Sequence, residues 1–417
     1  MPINRREFLF RSFGAATVSA MVPRFAVAGT RFLEESVAAG ASSRVLVVVE
    51  LAGGNDGLNT VVPYTDPLYA GTYRRTIGVP ASAVLDLNGT LGFNPVMTGL
   101  KSLWDAGRVA VVEGVSYPNP NLSHFTSRDI WHTADPQLAQ HKGWLGRYAD
   151  LALAETSNPL TGCAVSQSLP RTLLADKVVF PSFTSLSAYT YATDGANPSD
   201  ANNQVNAFVA QNSLEHEIET DGAAVGRIGR DAASSSATLL RVASSYVARA
   251  TYPNNSLASA LKLCAEVIVG NVGTQILYVT YGGFDNHSAQ KTAHDNLLAG
   301  VSDSIKAFFD DLDAQGKSHD VLLMTWSEFG RRVAENASAG TDHGTAGVHF
   351  VVGNAAVKGI YGPPPALNAL DPNGNLRWQI DFRSYYGTVL RGWLKADADA
   401  VLGKGFADLG CVNGAYA

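Results

Sequence analysis

Thiols are scarce in this chain. Its three cysteines in 417 residues, Cys163, Cys264 and Cys411, lie far apart with no C-x-x-C pair. A disulfide framework or a thiolate zinc site is therefore not indicated, and all three read as packing residues. An excess of positive charge is also missing: 31 Lys plus Arg against 37 Asp plus Glu give a formal net charge of -6. That excludes the positive field of a non-specific nucleic-acid binder. The body of the chain has no run of 18 apolar residues, so no membrane span is expected there. The glycine-rich stretch Gly53-Gly54-Asn55-Asp56-Gly57 matches neither nucleotide-cradling pattern, and no G-x-S-x-G elbow occurs, which disfavours an ordinary serine hydrolase.

What is present is the material of a folded protein. The chain is 46% hydrophobic and carries 17 Phe, 15 Tyr and 6 Trp, and its 40 glycines follow no Gly-X-Y period. The length suits two or three domains, or one large α/β unit with insertions. The N-terminus reads Asn4-Arg5-Arg6-Glu7-Phe8-Leu9, then a weakly apolar run from Phe13 to Val22, then Ala26-Val27-Ala28. Paired arginines, a short apolar region and an A-x-A site are the parts of a cleavable twin-arginine signal over residues 1–28. The expected partner is the twin-arginine export machinery, and the expected location is periplasmic or secreted.

Val45 to Leu51 is a continuous, β-branched apolar run, suited to a strand buried on both faces, and it ends abruptly in Ala52-Gly53-Gly54-Asn55-Asp56-Gly57. The pattern recurs at Val109–Val112, Gln275–Thr280 and Val321–Thr325, each followed by a polar loop. Helical patterns lie between them, at Gly143–Glu155 and over His287–Gln315, where Leu297, Leu298, Val301, Ile305, Phe308, Phe309 and Leu312 repeat at helical spacing. Asp381 to Leu394 reads as one more amphipathic helix. Strands alternating with helices predict a doubly wound, mainly parallel sheet in a single α/β domain over 29–417, with an all-helical insertion at about 185–272. Ligands of such sheets bind beyond the carboxyl ends of the strands, where the polar loops converge.

Asp56, Asp285, His287, Glu328, Asp342 and His343 fall in those loops. Oxygen and imidazole donors without thiolates are the set for divalent metals such as Zn, Mn, Mg or Ca, one or two per chain. Each residue also has an ordinary reading: Asp56 can form a turn, Glu328 can start a helix and Asp342 can cap one. His287 and His294 share a helix face if the segment is helical throughout. His349, in the apolar strand Val348–Val352, reads as a core histidine. Ser123 stands where a helix begins, placed to cap it or to act as a nucleophile beside a metal.

With these residues in hand, the chain resembles the DUF1501 family of exported bacterial proteins, which is similar to the alkaline phosphatase and sulfatase superfamily. The resemblance rests on LAGGNDGLNTVVPY at 51–64, SYPNPNLSHF at 116–125, GGFDNHSAQ at 282–290, TWSEFGRRVAEN at 325–336 and GTDHGTAGVHFVVG at 340–353. It implies an alkaline-phosphatase-like fold and a two-metal site with Ser123 as nucleophile, acting on an anionic phosphate or sulfate ester. The implied metal ligands are Asp56, Asp285, His287, Glu328 and His343, with His294, Asp342 and His349 as alternatives. Asn55 and Arg128 are implied as substrate-binding groups. Glu328 stands where the superfamily has an Asp-His pair, and Ser123 lacks the C/S-x-P-x-R context of a sulfatase. The competing expectation is a non-catalytic exported binding protein that retains the fold.

Overall fold

The structure is a computed structural model that describes residues 44–415 apart from 157, 188, 190–192, 194–196 and 213–220. The twin-arginine segment lies outside the described residues. Nine strands form the central sheet: β1 (Val45–Ala52), β2 (Val109–Ser116), β3 (Gly162–Val165), β4 (Ser182–Phe183), β5 (Ile276–Gly282), β6 (Val321–Trp326), β7 (Gly347–Gly353), β8 (Gly359–Tyr361) and β9 (Ile380–Asp381). Their order is 8-2-7-6-1-5-3-4, with β9 also paired to β2. Strand β7 runs antiparallel to both β2 and β6, and the other pairings are parallel. The expected mainly parallel α/β sheet is observed, with one reversed strand.

Alternation along β1 explains why the whole run is apolar. Val45, Val47, Val49 and Leu51 face one core with α1 (Thr98–Asp105), α6 (Ser256–Val269) and α7 (Gln290–Ala314). Leu46 and Val48 face the other, with α2 (His124–Thr133), α3 (Trp144–Ala152) and α8 (Phe382–Gly392). Each fully buried Val or Leu contributes about 1.5–3 kcal/mol relative to an exposed one, so a polar residue inside β1 would be costly on either face. Two helices, α4 (Ala201–Asn212) and α5 (Asp221–Ser245), pack on each other. Helix α6 belongs to the layer against the sheet, where it packs on α7 and β5. The three cysteines are buried and free.

Helix α7 starts at Gln290 rather than near His287, because Ala289 takes a left-handed conformation at its N-terminus. His287 therefore lies in the loop before the helix, and His294 lies one turn inside it. The shared helix face expected for this pair does not form.

Candidate metal centre

Three central strands deliver the polar loops to one edge. Beyond β1, Gly53 and Gly54 adopt φ of +118° and +77°, and a Cβ on Gly53 would come within 2.6 Å of the Asp285 backbone nitrogen. Only glycine fits there. The turn aims two N–H groups at Glu328, just beyond β6: Gly53 N–H donates to Oε1 (2.9 Å) and Gly54 N–H to Oε2 (3.2 Å). From the loop after β5 come Asp285 and His287. His343 sits on a short antiparallel ladder opposite Arg331. His124 is the first residue of α2, a helix held by the stacked rings of Trp131 and Trp326, 5.5 Å apart.

These groups converge on Asp285. His287 Nε2 is 2.9 Å and His343 Nε2 3.1 Å from Asp285 Oδ1, and the two ring nitrogens are 3.0 Å apart. His124 Nε2 is 3.3 Å from Oδ2 and has no hydrogen-bond partner. The opposite nitrogen of each ring faces an acceptor. His124 Nδ1 donates to Glu328 Oε1 (2.8 Å), His343 Nδ1 to the Leu122 carbonyl (2.7 Å) and His287 Nδ1 to Asp342 Oδ1 (3.3 Å). With a proton assigned to Nδ1 by these partners, each ring turns its Nε2 toward Asp285. Lone pairs packed this closely repel unless a cation lies between them, and rings fixed through Nδ1 by carboxylate or carbonyl are the arrangement of metal-bound histidines. Donors about 2.0–2.1 Å from a tetrahedral ion would be about 3.3 Å from one another, close to the separations found. His124, Asp285 and His343 form a group able to hold a metal ion, with donor atoms within 4.8 Å of one another.

The electrostatics hold Asp285 and His343 in their ligating forms and leave a proton on His124 for an ion to displace. Partial burial pushes the Asp285 carboxyl up, but the Arg331 and His343 hydrogen bonds outweigh it and hold it well below the usual carboxylate range. Glu328, through its hydrogen bond, pushes His124 up. Burial pushes His343 down, toward the neutral form that can ligate. Arg331 is buried and ties the site together, donating to Asp285 Oδ1 (2.8 Å) and to the carbonyls of Gly53, Gly54, Phe284 and Thr341.

Several residues expected at the site lie elsewhere. Asp56 is buried, and its carboxylate is taken by an ion pair with Arg74 and a hydrogen bond from Gln290. His294 donates through Nε2 to Asn55 Oδ1 (2.9 Å), which places both in the core. His349 is wholly buried between Trp131 and Tyr385, away from the cluster, with neither ring nitrogen partnered. Arg128 Nε donates to Glu50 (2.6 Å) beside the cluster. Glu328 and Asp342 are present, but each accepts from a histidine Nδ1. Ser123 occupies the position before α2, exposed, and its hydroxyl makes no capping bond. Sequence reasoning missed His124 and Arg331. The available signal was that His124 directly follows the candidate nucleophile.

A family model described as a protein of unknown function, DUF1501, matches residues 111–369. The chain belongs to this family. The DUF1501 match spans His124, Asp285, His287, Glu328, Arg331 and His343, whereas Asp56 and Arg74 lie outside it. No curated protein matches the chain. Among solved structures, the DUF1501 chain is similar to the C-terminal periplasmic domain of EcEptC from Escherichia coli in complex with Zn, at 10% identity over 76% of this chain and 74% of that one, with a TM-score of 0.36. It is also similar to the PsFucS1 sulfatase from Pseudoalteromonas sp., at 10% identity, 94% and 78% coverage and a TM-score of 0.35. The alkaline phosphatase from the Antarctic bacterium TAB5 matches at 10% identity, 77% and 95% coverage and a TM-score of 0.30. These likenesses are distant.

Proposed function

We propose that this DUF1501 protein is an exported, metal-dependent hydrolase of anionic phosphate or sulfate esters with Ser123 as its nucleophile. The observation that carries the reading is the convergence of three imidazole Nε2 atoms on Asp285, each ring fixed through Nδ1. His124, His287, His343 and Asp285 would hold a divalent cation, and an imidazole-rich set favours Zn over the oxygen preference of Mg, Ca and Mn. When bound, such an ion supplies Lewis-acid polarisation of the ester and lowers the pKa of a neighbouring hydroxyl.

The chain's own residues supply position. Ser123 is held between two anchored neighbours, since the Leu122 carbonyl accepts from His343 and the His124 ring enters the cluster. Its hydroxyl is left free of the helix it precedes. In the proposed reaction the Ser123 oxygen bonds to the phosphorus or sulfur while the bond to the alcohol oxygen breaks, and the serine proton ends on the departing alcohol. Water then cleaves the seryl ester and restores the hydroxyl.

Ser123→Ala should abolish metal-dependent turnover of aryl phosphate and aryl sulfate while leaving metal content unchanged. Turnover equal to wild type would remove the nucleophile assignment. The second reading, a non-catalytic exported binding protein with one metal, is favoured by Asp56, whose engagement by Arg74 leaves a second ion without that ligand. Absence of hydrolysis across phosphate mono- and diesters and sulfate esters in a metal-loaded protein would establish it. Export is tested separately: Arg5→Lys with Arg6→Lys should trap the precursor in the cytoplasm, and normal maturation would refute the twin-arginine route.

A further inference from the structure

Helix α2 carries a second set of polar groups. His124, Arg128 and His132 recur at four-residue intervals and so share a helix face. The first enters the metal cluster, and the other two line a pocket of about 360 Å³. At about 1.5 Å of rise per residue, Arg128 lies roughly 6 Å and His132 roughly 12 Å along the axis from His124. The pocket therefore begins about one helical turn from the cluster.

Its lining is built rather than incidental. Glu50, wholly buried on β1, accepts from Arg128 Nε (2.6 Å), the Tyr278 hydroxyl (2.8 Å) and the Thr280 hydroxyl (3.0 Å). Arg171 pairs with Asp129 at 2.8 Å. His132 is 5% exposed, and its Nδ1 has no protein partner. Gln167 and Ser168 also line the pocket and are exposed, and Phe125 is 87% exposed beside His124.

Charge balance decides the ligand class. Two guanidiniums, Arg128 and Arg171, face two carboxylates, Glu50 and Asp129, so the pocket has no surplus cation for a second anionic group. Burial keeps His132 below the usual histidine range, and it enters the balance as a neutral ring. We propose that this pocket receives the alcohol part of the ester and that this alcohol is uncharged and rich in hydroxyls, a saccharide-like group. The inference rests on the ester-hydrolase reading above. Hydroxyls both donate and accept, which suits the Arg128 guanidinium, the Gln167 amide and the Ser168 hydroxyl. The exposed Phe125 ring offers an apolar surface to the C–H face of a sugar. A simple aryl or alkyl alcohol would leave the Arg128, Gln167 and Ser168 groups to water, and an acidic one would find every cation already neutralised.

The test is binding of neutral methyl glycosides, compared with phenol and with methyl hexuronides, to the full chain by saturation-transfer NMR and titration calorimetry. These probes are not phosphate or sulfate esters, so turnover plays no part. Neutral glycosides should bind with Kd of about 1–10 mM. Arg128→Met should weaken binding by about 10-fold, the value of roughly one hydrogen bond to a desolvated group. Gln167→Ala, at an exposed position, should weaken it about 3-fold and keeps the test open if the Arg128 variant does not fold. No glycoside binding, binding unchanged in these variants, or a preference for the hexuronides would overturn the proposal. Glycoside binding without any ester turnover would uphold the pocket and overturn the hydrolase reading. Turnover of aryl esters without glycoside binding would do the reverse.

Discussion

Chelation is the perturbation that reaches the centre of the site most directly. Removing an ion from His124, His287, His343 and Asp285 leaves three ring nitrogens and a carboxylate facing one another. A ligand that binds only the native state at 100 times its Kd stabilises that state by about 2.7 kcal/mol. For roughly 360 residues at about 2.1 cal/mol/K each, the unfolding entropy is about 0.8 kcal/mol/K, so the expected rise in Tm is about 3–4 °C. Scanning calorimetry of the chain after dialysis against chelator, then after return of Zn²⁺ or Mn²⁺, measures this shift. His343→Ala and Asp285→Asn each remove one donor and should reduce the shift to under about 1 °C.

The sign with pH supplies a second check on the same experiment. In the metal-free protein Glu328 raises the His124 pKa, so that ring adds stability fully present below its unfolded value of about 6.5 and lost as pH rises through the folded value. A bound ion displaces that proton, so the metal-loaded protein should gain stability as pH rises through the same range. Unchanged melting on chelation, with no metal found by elemental analysis after reconstitution, would refute the metal-centre reading.

Three further outcomes follow from buried titratable groups and from the core. Burial pushes Glu113 up to about 8, and its Oε1 has no partner. Its stabilising contribution is therefore present below about pH 4.5 and lost as pH rises through about 8. Glu113→Gln should exceed wild type by roughly 3–5 kcal/mol above pH 8 in denaturant titrations, and parallel pH profiles would refute this. Burial holds His349 at about 3, so its neutral form costs stability as pH falls below its unfolded value. His349→Phe should keep the ring contacts with Trp131 and Tyr385 and recover about 2 kcal/mol at pH 5 with metal content unchanged. Loss of metal from that variant would return His349 to the ligand set. Arg74→Met should destabilise by about 3–5 kcal/mol, the cost of leaving the Asp56 carboxylate buried without its partner; a loss under about 1 kcal/mol would show that Asp56 finds another cation.

The strands were legible because the central ones are buried on both faces, and an unbroken β-branched run that stops at Gly, Asn and Asp packs poorly as anything but a strand. The start of α7 was not, because apolar periodicity shows where a helix packs and says little about where it begins. There Ala289 turns left-handed and frees His287 for the cluster. Asp56 illustrates a different limit. Spacing places it at a strand end beside the other acidic residues, but its partner Arg74 lies in a following loop, and a long-range ion pair leaves no periodic trace. His124 carries no motif of its own and follows a serine with an obvious chemical role. At a helix N-terminus the side chain points back past the helix start, toward the loops that bring Asp285 and His343. Glu328 and Asp342 were recognisable as polar loop residues, yet whether a carboxylate meets an ion or orients a histidine is decided by a few ångströms of backbone.

The buried guanidinium of Arg331 and the donors it braces are drawn from segments far apart in the chain. His287 and His343 are separated by 56 residues, His124 and Glu328 by 204, and Gly53 and Arg331 by 278. In an unfolded chain these groups meet only at a cost in chain entropy that grows with the logarithm of the intervening length, and no short local segment supplies more than Asp285 and His287 together. The donors meet only after β1, β5 and β6 have paired, because those parallel strands carry the loops to a common edge. Contacts of this separation slow folding. An ion retained through gel filtration would therefore mark a chain whose sheet has closed, and any fragment that omits one of these strands should emerge without metal.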